Sequence, residues 1–267
     1  MKKVLLLIII IIMSLIFIKT FKNRKITKIN ITKFENINIF KHELKYRYLN
    51  YYKKKKNLSL DDIVTRVNIG LDQPFYTQTS KTPHLNKTYI LVNKYLYLEK
   101  DYVPNKLITL KNEYSKKGMK LVKEAGEMFE KMYYNAKKDG YTIRIMSSYR
   151  SYDYQKSLYN EYKTKYGEEE ANMYSAKPGF SEHQTGLCID IDDNKLSYEQ
   201  FDKTKSYNWM QKNAYKYGFI ERYPKQKEDI TGYIYEPWHY RYVGIDIAKF
   251  IHENNITFDE YYVKYIK

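Results

Sequence analysis

The sequence predicts an α+β fold: a small, mainly antiparallel sheet with flanking helices that carries a metal site, preceded by an N-terminal membrane helix and a stalk. Three observations predict it. Residues 187–192 alternate, with Leu187, Ile189 and Ile191 on one strand face and Cys188, Asp190 and Asp192 on the other. Segments with helical spacing lie on both sides of that strand, at about 115–138, 152–166 and 244–253. An unbroken apolar run, Val4 to Ile18, opens the chain between lysines. The division that follows is 1–25 anchor, 26–85 basic stalk and 86–267 globular domain.

Charge and cysteine content narrow the function classes. The chain of 267 residues carries a net charge of +16. Residues 1–60 hold 15 Lys+Arg against 2 Glu, whereas the rest is nearly balanced. A nucleic-acid enzyme places its basic surface around its site; here it precedes the globular domain, so nucleic acid is not expected as a partner. The one cysteine, Cys188, excludes an internal disulfide, and a domain of this size needs none. A monomer is expected.

A run of fifteen residues is short for a spanning helix, which wants roughly 17–25, but Lys3 and Lys19 can snorkel at its ends and Phe21 can add interfacial anchoring. No small-residue cleavage signal follows, so the run reads as an uncleaved anchor. Lys2 and Lys3 before it are outnumbered by Lys19, Lys22, Arg24, Lys25, Lys28 and Lys33 after it, a balance that by itself favours a cytoplasmic C-terminus. The stalk includes the tetralysine 53–56 and a short helix at 58–67, where Ser59 can cap and Asp61 and Asp62 occupy the first turn.

In the globular domain, 89–93 reads as a strand and 102–107 as a loop, because Pro104 excludes a central strand. Met119, Val122, Gly126, Phe129, Tyr133 and Ala136 form a core stripe on a helix ended by Asp139-Gly140. A strand at 142–146 leads to Ser147-Ser-Tyr-Arg-Ser151 and a helix at 152–166. Arg150, between strand and helix, is placed to bind an anion with its planar fork, and Gln155 lies one turn into that helix.

His183 precedes the alternating strand, and Glu236-Pro-Trp-His239 follows it, giving two imidazoles, a carboxylate to complete a three-ligand set and a further glutamate. Three protein ligands and an open position make a catalytic zinc site, with a nearby glutamate as the base for its water. Residues three apart on a strand face opposite ways, so Glu236 and His239 require a turn or bulge at Pro237. His42, His84 and His252 have no such neighbours, and the HExxH pattern is absent.

Ser147-Ser-Tyr-Arg-Ser-Tyr152 with Gln155, then 178–190 (PGFSEHQTGLCID), then 236–244 (EPWHYRYVG) together resemble the zinc D-alanyl-D-alanine carboxypeptidases of the VanY type, over roughly 91–251. The resemblance implies that His183, Asp190 and His239 hold Zn2+ and that Glu236 is the catalytic base. It implies that Arg150 binds or polarises the substrate, with Gln155, Ser148, Ser181 and Trp238 around it. The implied substrate is a peptidoglycan stem peptide, of D-Ala-D-Ala or L,D type, which places the domain outside the membrane against the lysine count. A wall endopeptidase of the same family and a metal-free wall-binding module are the alternatives. Cys188 departs from the small residue such enzymes commonly carry; it reads as a buried filler, with soft-ligand competition as the other reading.

Overall fold

The computed structural model describes Met13, Ser14 and residues 31–266. Apart from Met13 and Ser14, the anchor expected over 1–25 lies outside the described residues, and among these no helix is long and apolar enough to cross a membrane. The chain divides into two compact units, Met1–Asp72 and Gln73–Lys267, a boundary ahead of the one expected at 85.

The first unit is more than a polar spacer. Helices α1 (Lys45–Lys54) and α2 (Leu60–Ile69) share an apolar core of Phe34, Tyr48, Leu49, Ile63, Val64 and Val67. Inside that core, Tyr48 donates to Asn68 Oδ1 at 2.7 Å. The expected cap is present: Ser59 and Asp62 form a reciprocal capping box, and Gly70 ends the helix in the left-handed region.

In the second unit, short strands β1 (Ser80–Lys81) and β2 (Leu96–Tyr97) pair in parallel, and β3 (Leu107–Thr109) pairs with β4 (Lys120–Val122) antiparallel. Helix α3 (Lys123–Lys138) precedes β5 (Arg144–Ser147), α4 (Tyr152–Tyr166), α5 (Glu168–Tyr174) and β6 (Cys188–Asp192). Then come α6 (Lys205–Asn213), β7 (Phe219–Glu221), α7 (Glu228–Thr231), β8 (His239–Tyr242), α8 (Ile245–Asn254) and α9 (Phe258–Tyr265).

Strands β5-β6-β8-β7 form one four-stranded sheet, all antiparallel. Its register sorts the side chains. Ile189 stands opposite Tyr240 and Asp190 opposite His239. With a two-residue period, Ile189, Ile191, Tyr240 and Tyr242 therefore share one face. There they meet Phe129, Met132 and Ala136 of α3 and Trp209 and Met210 of α6 in the main core. Cys188, Asp190, His239 and Arg241 share the other face.

Two expected elements differ. The strand expected at 89–93 is an extended loop: Arg241 Nη2 takes the carbonyls of Thr88 and Ile90 (2.9 and 2.6 Å), and Asn93 Oδ1 accepts from the amides of Tyr95 and Leu96, leaving little for a ladder. The helix expected from Ser115 begins only at Lys123, because Gly118 turns at φ +81° and 120–122 pair with β3.

On the core side, Glu221 is half-buried beside Tyr207, which donates to its Oε1 at 3.1 Å, and desolvation pushes its carboxyl up to about 7. A carboxyl raised on folding contributes stability below its unfolded pKa and loses it as pH climbs through the folded value. Glu221→Gln therefore leaves the melting temperature near the parent's at pH 4.5 and raises it increasingly up to pH 7–8. A shift of this size corresponds to roughly 3 kcal/mol. Parallel pH dependences of Tm in the two proteins would contradict this.

Candidate active site

A cleft of about 250 Å3 lies over the sheet face that bears Asp190 and His239. Each wall is delivered by a specific local device. Ser151 caps α4 by accepting from Tyr154 N, which places Arg150 just ahead of the helix and beside the end of β5. The 3-10 turn Glu182–Thr185, capped by Ser181 and ended by Gly186 at φ +66°, carries His183 into the cleft and starts β6. At 236–239 the His239 amide donates to the Glu236 carbonyl at 3.1 Å, so the chain turns at Pro237-Trp238. The two side chains then come together as the spacing required.

Glu236, His183, Asp190 and His239 are all buried and line the cleft with Arg150, Gln155, Ser181 and Trp238. His183 Nδ1 donates to the Ser148 carbonyl at 2.6 Å, leaving Nε2 with its lone pair. That Nε2 lies 3.3 Å from Asp190 Oδ2, and His239 Nδ1 lies 2.9 Å from Asp190 Oδ1. One oxygen and two nitrogen donors therefore converge and could hold a metal. Burial opposes ionisation of Asp190, yet His183, His239 and Arg150 keep its carboxyl well below the ordinary range. Glu236 Oε2 stands 3.9 Å from His239 Nδ1, and desolvation pushes its carboxyl up to about 7.

Cys188, fully buried one strand pair below Asp190, adds a sulfur whose distances to donor atoms of His183 and His239 are within 4.8 Å. The two imidazoles draw its thiol down to about 7 against its burial. It is buried, as a filler would be, and its sulfur is also within reach of the donor cluster.

Arg150 is held at every edge. Nε donates to Ser147 Oγ (3.2 Å), Nη1 to Gln155 Oε1 (3.0 Å) and Nη2 to Asp190 Oδ2 (3.0 Å), with His183 Nε2 at 2.6 Å. Gln155 in turn donates to Ser175 Oγ and the Ala176 carbonyl, so it braces Arg150 rather than presenting a free amide. Trp238 packs edge-on against Tyr198 at the rim, 5.1 Å between centroids.

Ser148 lies behind the cleft lining, where its carbonyl accepts from His183 Nδ1. Its hydroxyl turns away from the cleft, accepting from Lys120 N at 3.0 Å, because an irregularity between Ile145 and Ser147 sets Ser147 opposite Asp190. Ser147 lines the cleft instead. Tyr223, whose ring lies 5.0 Å from that of His239, and Tyr233 line the floor and went unread among the chain's 32 tyrosines.

Residues 118–245 match the VanY family, described as D-alanyl-D-alanine carboxypeptidase. The chain belongs to the VanY family. Every residue of the cleft constellation, from Ser147 to His239, falls within the matched segment. YodJ of Bacillus subtilis (strain 168) is 46% identical over 181 residues, covering 65% of this chain and 66% of that one. A D-alanyl-D-alanine carboxypeptidase of Enterococcus faecium is 39% identical over 146 residues, covering 54% and 44%. This chain thus spans between less than half and just under two thirds of those relatives. A bifunctional D-Ala-D-Ala dipeptidase and carboxypeptidase of Enterococcus gallinarum, VanXYC, is 32% identical over 189 residues, covering 66% and 93%. Two solved VanY-like structures are similar. The LdcB LD-carboxypeptidase has TM-score 0.61 and 46% identity, covering 65% of this chain and 85% of that one. A mutant of the vancomycin-resistance D,D-pentapeptidase VanY in complex with Zn(II) has TM-score 0.57 and 32% identity, covering 65% and 98%.

Gly186 connects His183 to the strand that bears Asp190. A Cβ there would lie 2.9 Å from Leu107 Cδ2 and 3.1 Å from Pro104 Cγ, at a φ that L side chains rarely adopt. Gly186→Ala is expected to destabilise by about 1–3 kcal/mol, lowering Tm by several degrees in thermal unfolding. An unchanged Tm would show that the turn relaxes freely.

Proposed function

We propose that this chain is a zinc-dependent carboxypeptidase that removes the C-terminal D-alanine from peptidoglycan stem peptides, of D-Ala-D-Ala or L,D type. The observation that carries the reading is the convergence, in one cleft, of three donor side chains, a buried carboxyl near neutrality and a braced guanidinium. The relatives named D-alanyl-D-alanine carboxypeptidase and LD-carboxypeptidase support the substrate class, and the VanY structure holding Zn(II) supports the metal.

The donors fit zinc, which takes imidazole nitrogen and carboxylate oxygen in sets of three and leaves a position for water. His183 through Nε2, Asp190 through its carboxylate and His239 through Nδ1 would hold it. Zinc in such a set supplies a Lewis acid and a water whose pKa is lowered toward about 7.

The chain's own groups do the rest. Glu236, set beside His239 and away from bulk water, accepts the proton of the attacking water at Oε2 and returns it to the leaving amine. One carboxyl thereby performs both transfers in turn. Arg150 offers a planar pair of donors to a substrate oxygen or terminal carboxylate. Ser147 and Gln155 fix the fork so that little ordering remains for the moment of binding. Trp238 and Tyr198 form an apolar rim.

Residues 1–25 anchor the chain in the membrane with the catalytic unit outside, where a wall substrate is found. Protease added to intact protoplasts then removes the catalytic unit; complete protection would refute this orientation.

Substitution separates base from ligand. Glu236→Gln retains zinc by elemental analysis but loses at least about a hundredfold in turnover of a defined stem peptide. His239→Ala loses both zinc and activity. Loss of zinc in Glu236→Gln would reassign it as a ligand, and release of two peptides instead of free D-alanine would make the enzyme an endopeptidase.

A further inference from the structure

The two histidines of the cleft present opposite nitrogens to Asp190, and the structure gives a separate reason for each. For His183 the reason is a neutral carbonyl, that of Ser148 at Nδ1. For His239 the far nitrogen, Nε2, is buried and has no hydrogen-bond partner among the described residues. It faces Glu182 Oε2 at 3.7 Å, an oxygen that is equally buried and equally without a partner.

Glu182 is not free to wander. Its other oxygen, Oε1, accepts from Arg222 Nε and from Arg241 Nη1, each at 2.9 Å. Arg222 Nη1 donates to Asp259 Oδ2 at 2.6 Å, and Asn93 donates to the remaining Asp259 oxygen at 2.8 Å. Arg241 is tied to the Thr88 and Ile90 carbonyls. Glu182, Arg222, Arg241 and Asp259 are each no more than 2% exposed, and their two positive and two negative charges balance. The network thus holds one carboxylate oxygen rigidly and aims the other at the imidazole.

We infer that Glu182 is a positioning residue: its Oε2 is the acceptor that keeps the proton on Nε2 of His239, fixing the ring's tautomer and orientation so that Nδ1 is the nitrogen turned to Asp190 and to metal. The physical reason is that a neutral imidazole has one N–H, and a ligating histidine donates it to a carboxylate or carbonyl behind it. His239 lies between two carboxylates, Asp190 at Nδ1 and Glu182 at Nε2. A metal can replace the proton on the Asp190 side, whereas the Glu182 side is sealed. Glu182 is only 2% exposed, and its role is exerted through His239. This inference rests on the metal reading of the cleft given above.

The test is nitrogen NMR on the full chain labelled with 15N-histidine and loaded with 113Cd. Cadmium–nitrogen coupling is expected at Nδ1 of His239 and at Nε2 of His183, with a slowly exchanging, downfield proton on His239 Nε2. Glu182→Gln keeps the side chain's volume and an acceptor oxygen but removes the charge. Its zinc affinity is expected to fall roughly 10- to 100-fold, with the Nε2 proton moving upfield, and Glu182→Met, with no acceptor, loses that proton signature. Coupling at His239 Nε2 overturns the inference, as does an unchanged zinc affinity in Glu182→Gln even where its metal-free Tm falls. Should the variants not fold, the parent spectrum decides by itself. If no metal binds, the metal reading falls separately, and a metal-free His239 without a proton on Nε2 would overturn the role of Glu182 as well.

Discussion

The antiparallel register between β6 and β8 is the constraint on which the rest depends. Setting Asp190 opposite His239 brings a carboxylate and an imidazole from residues 49 apart to 2.9 Å. The same register puts Ile189 beside Tyr240 on the reverse face, against α3 and α6. A one-residue slip would expose the apolar set and bury the polar set in the core, so hydrophobic burial itself enforces the geometry of the donors. Neighbouring strands add to the same face: Ser147 on β5 stands opposite Asp190, and Ile220 on β7 stands opposite Arg241. The metal-competent arrangement is thus a consequence of the core.

Burying that many charges requires compensation. Glu182 would be costly alone; with Arg222 and Arg241 on one oxygen it stays ionised against its burial. Asp190 is similarly surrounded by two imidazoles and Arg150. Among the described residues Glu236 has no lysine or arginine nitrogen within 4 Å, only His239 Nδ1 at 3.9 Å, and it is the carboxyl that rises toward neutrality. Three carboxyls within one small volume therefore differ in character because their partners differ. Ionised ones hold position, and the one left desolvated can move a proton.

Much of the cleft was legible because it is local. Ser181 to Asp192 carries its own cap, turn glycine and alternation, and the helix after Arg150 follows its expected bounds of 152–166. What escaped depends on distant partners. The 89–93 segment has the composition of a strand, but Arg241, about 150 positions later, claims its carbonyls. Arg241 itself lies two residues beyond His239 on one strand, so period-two reasoning would place it on the donor face. Its role becomes visible only once Glu182 is seen behind both. That Ser147 stands opposite Asp190 depends on an irregularity in β5, a pairing property absent from the spacing of a single strand. In the first unit, the core exists only where α1 packs on α2 and Phe34, which the sequence of either helix alone does not show.

The abundance of tyrosine and lysine finds structural use at the back of the cleft. Lys94 is buried, donates to the Asn172 carbonyl of α5 at 2.8 Å and lies 4.7 Å from the Phe75 ring centroid and 4.3 Å from that of Tyr233. Desolvation draws its ammonium down to about 8; the ring faces offset part of that cost through their negative quadrupole. The result links the segment 73–97, helix α5 and Tyr233, which lines the cleft. An apolar residue at 94 could fill the cage but could not bond the α5 carbonyl. A lysine in water would be spent on solvation. Enclosed by aromatic rings, its directional bond stiffens the cleft wall at a point the four-stranded sheet does not reach.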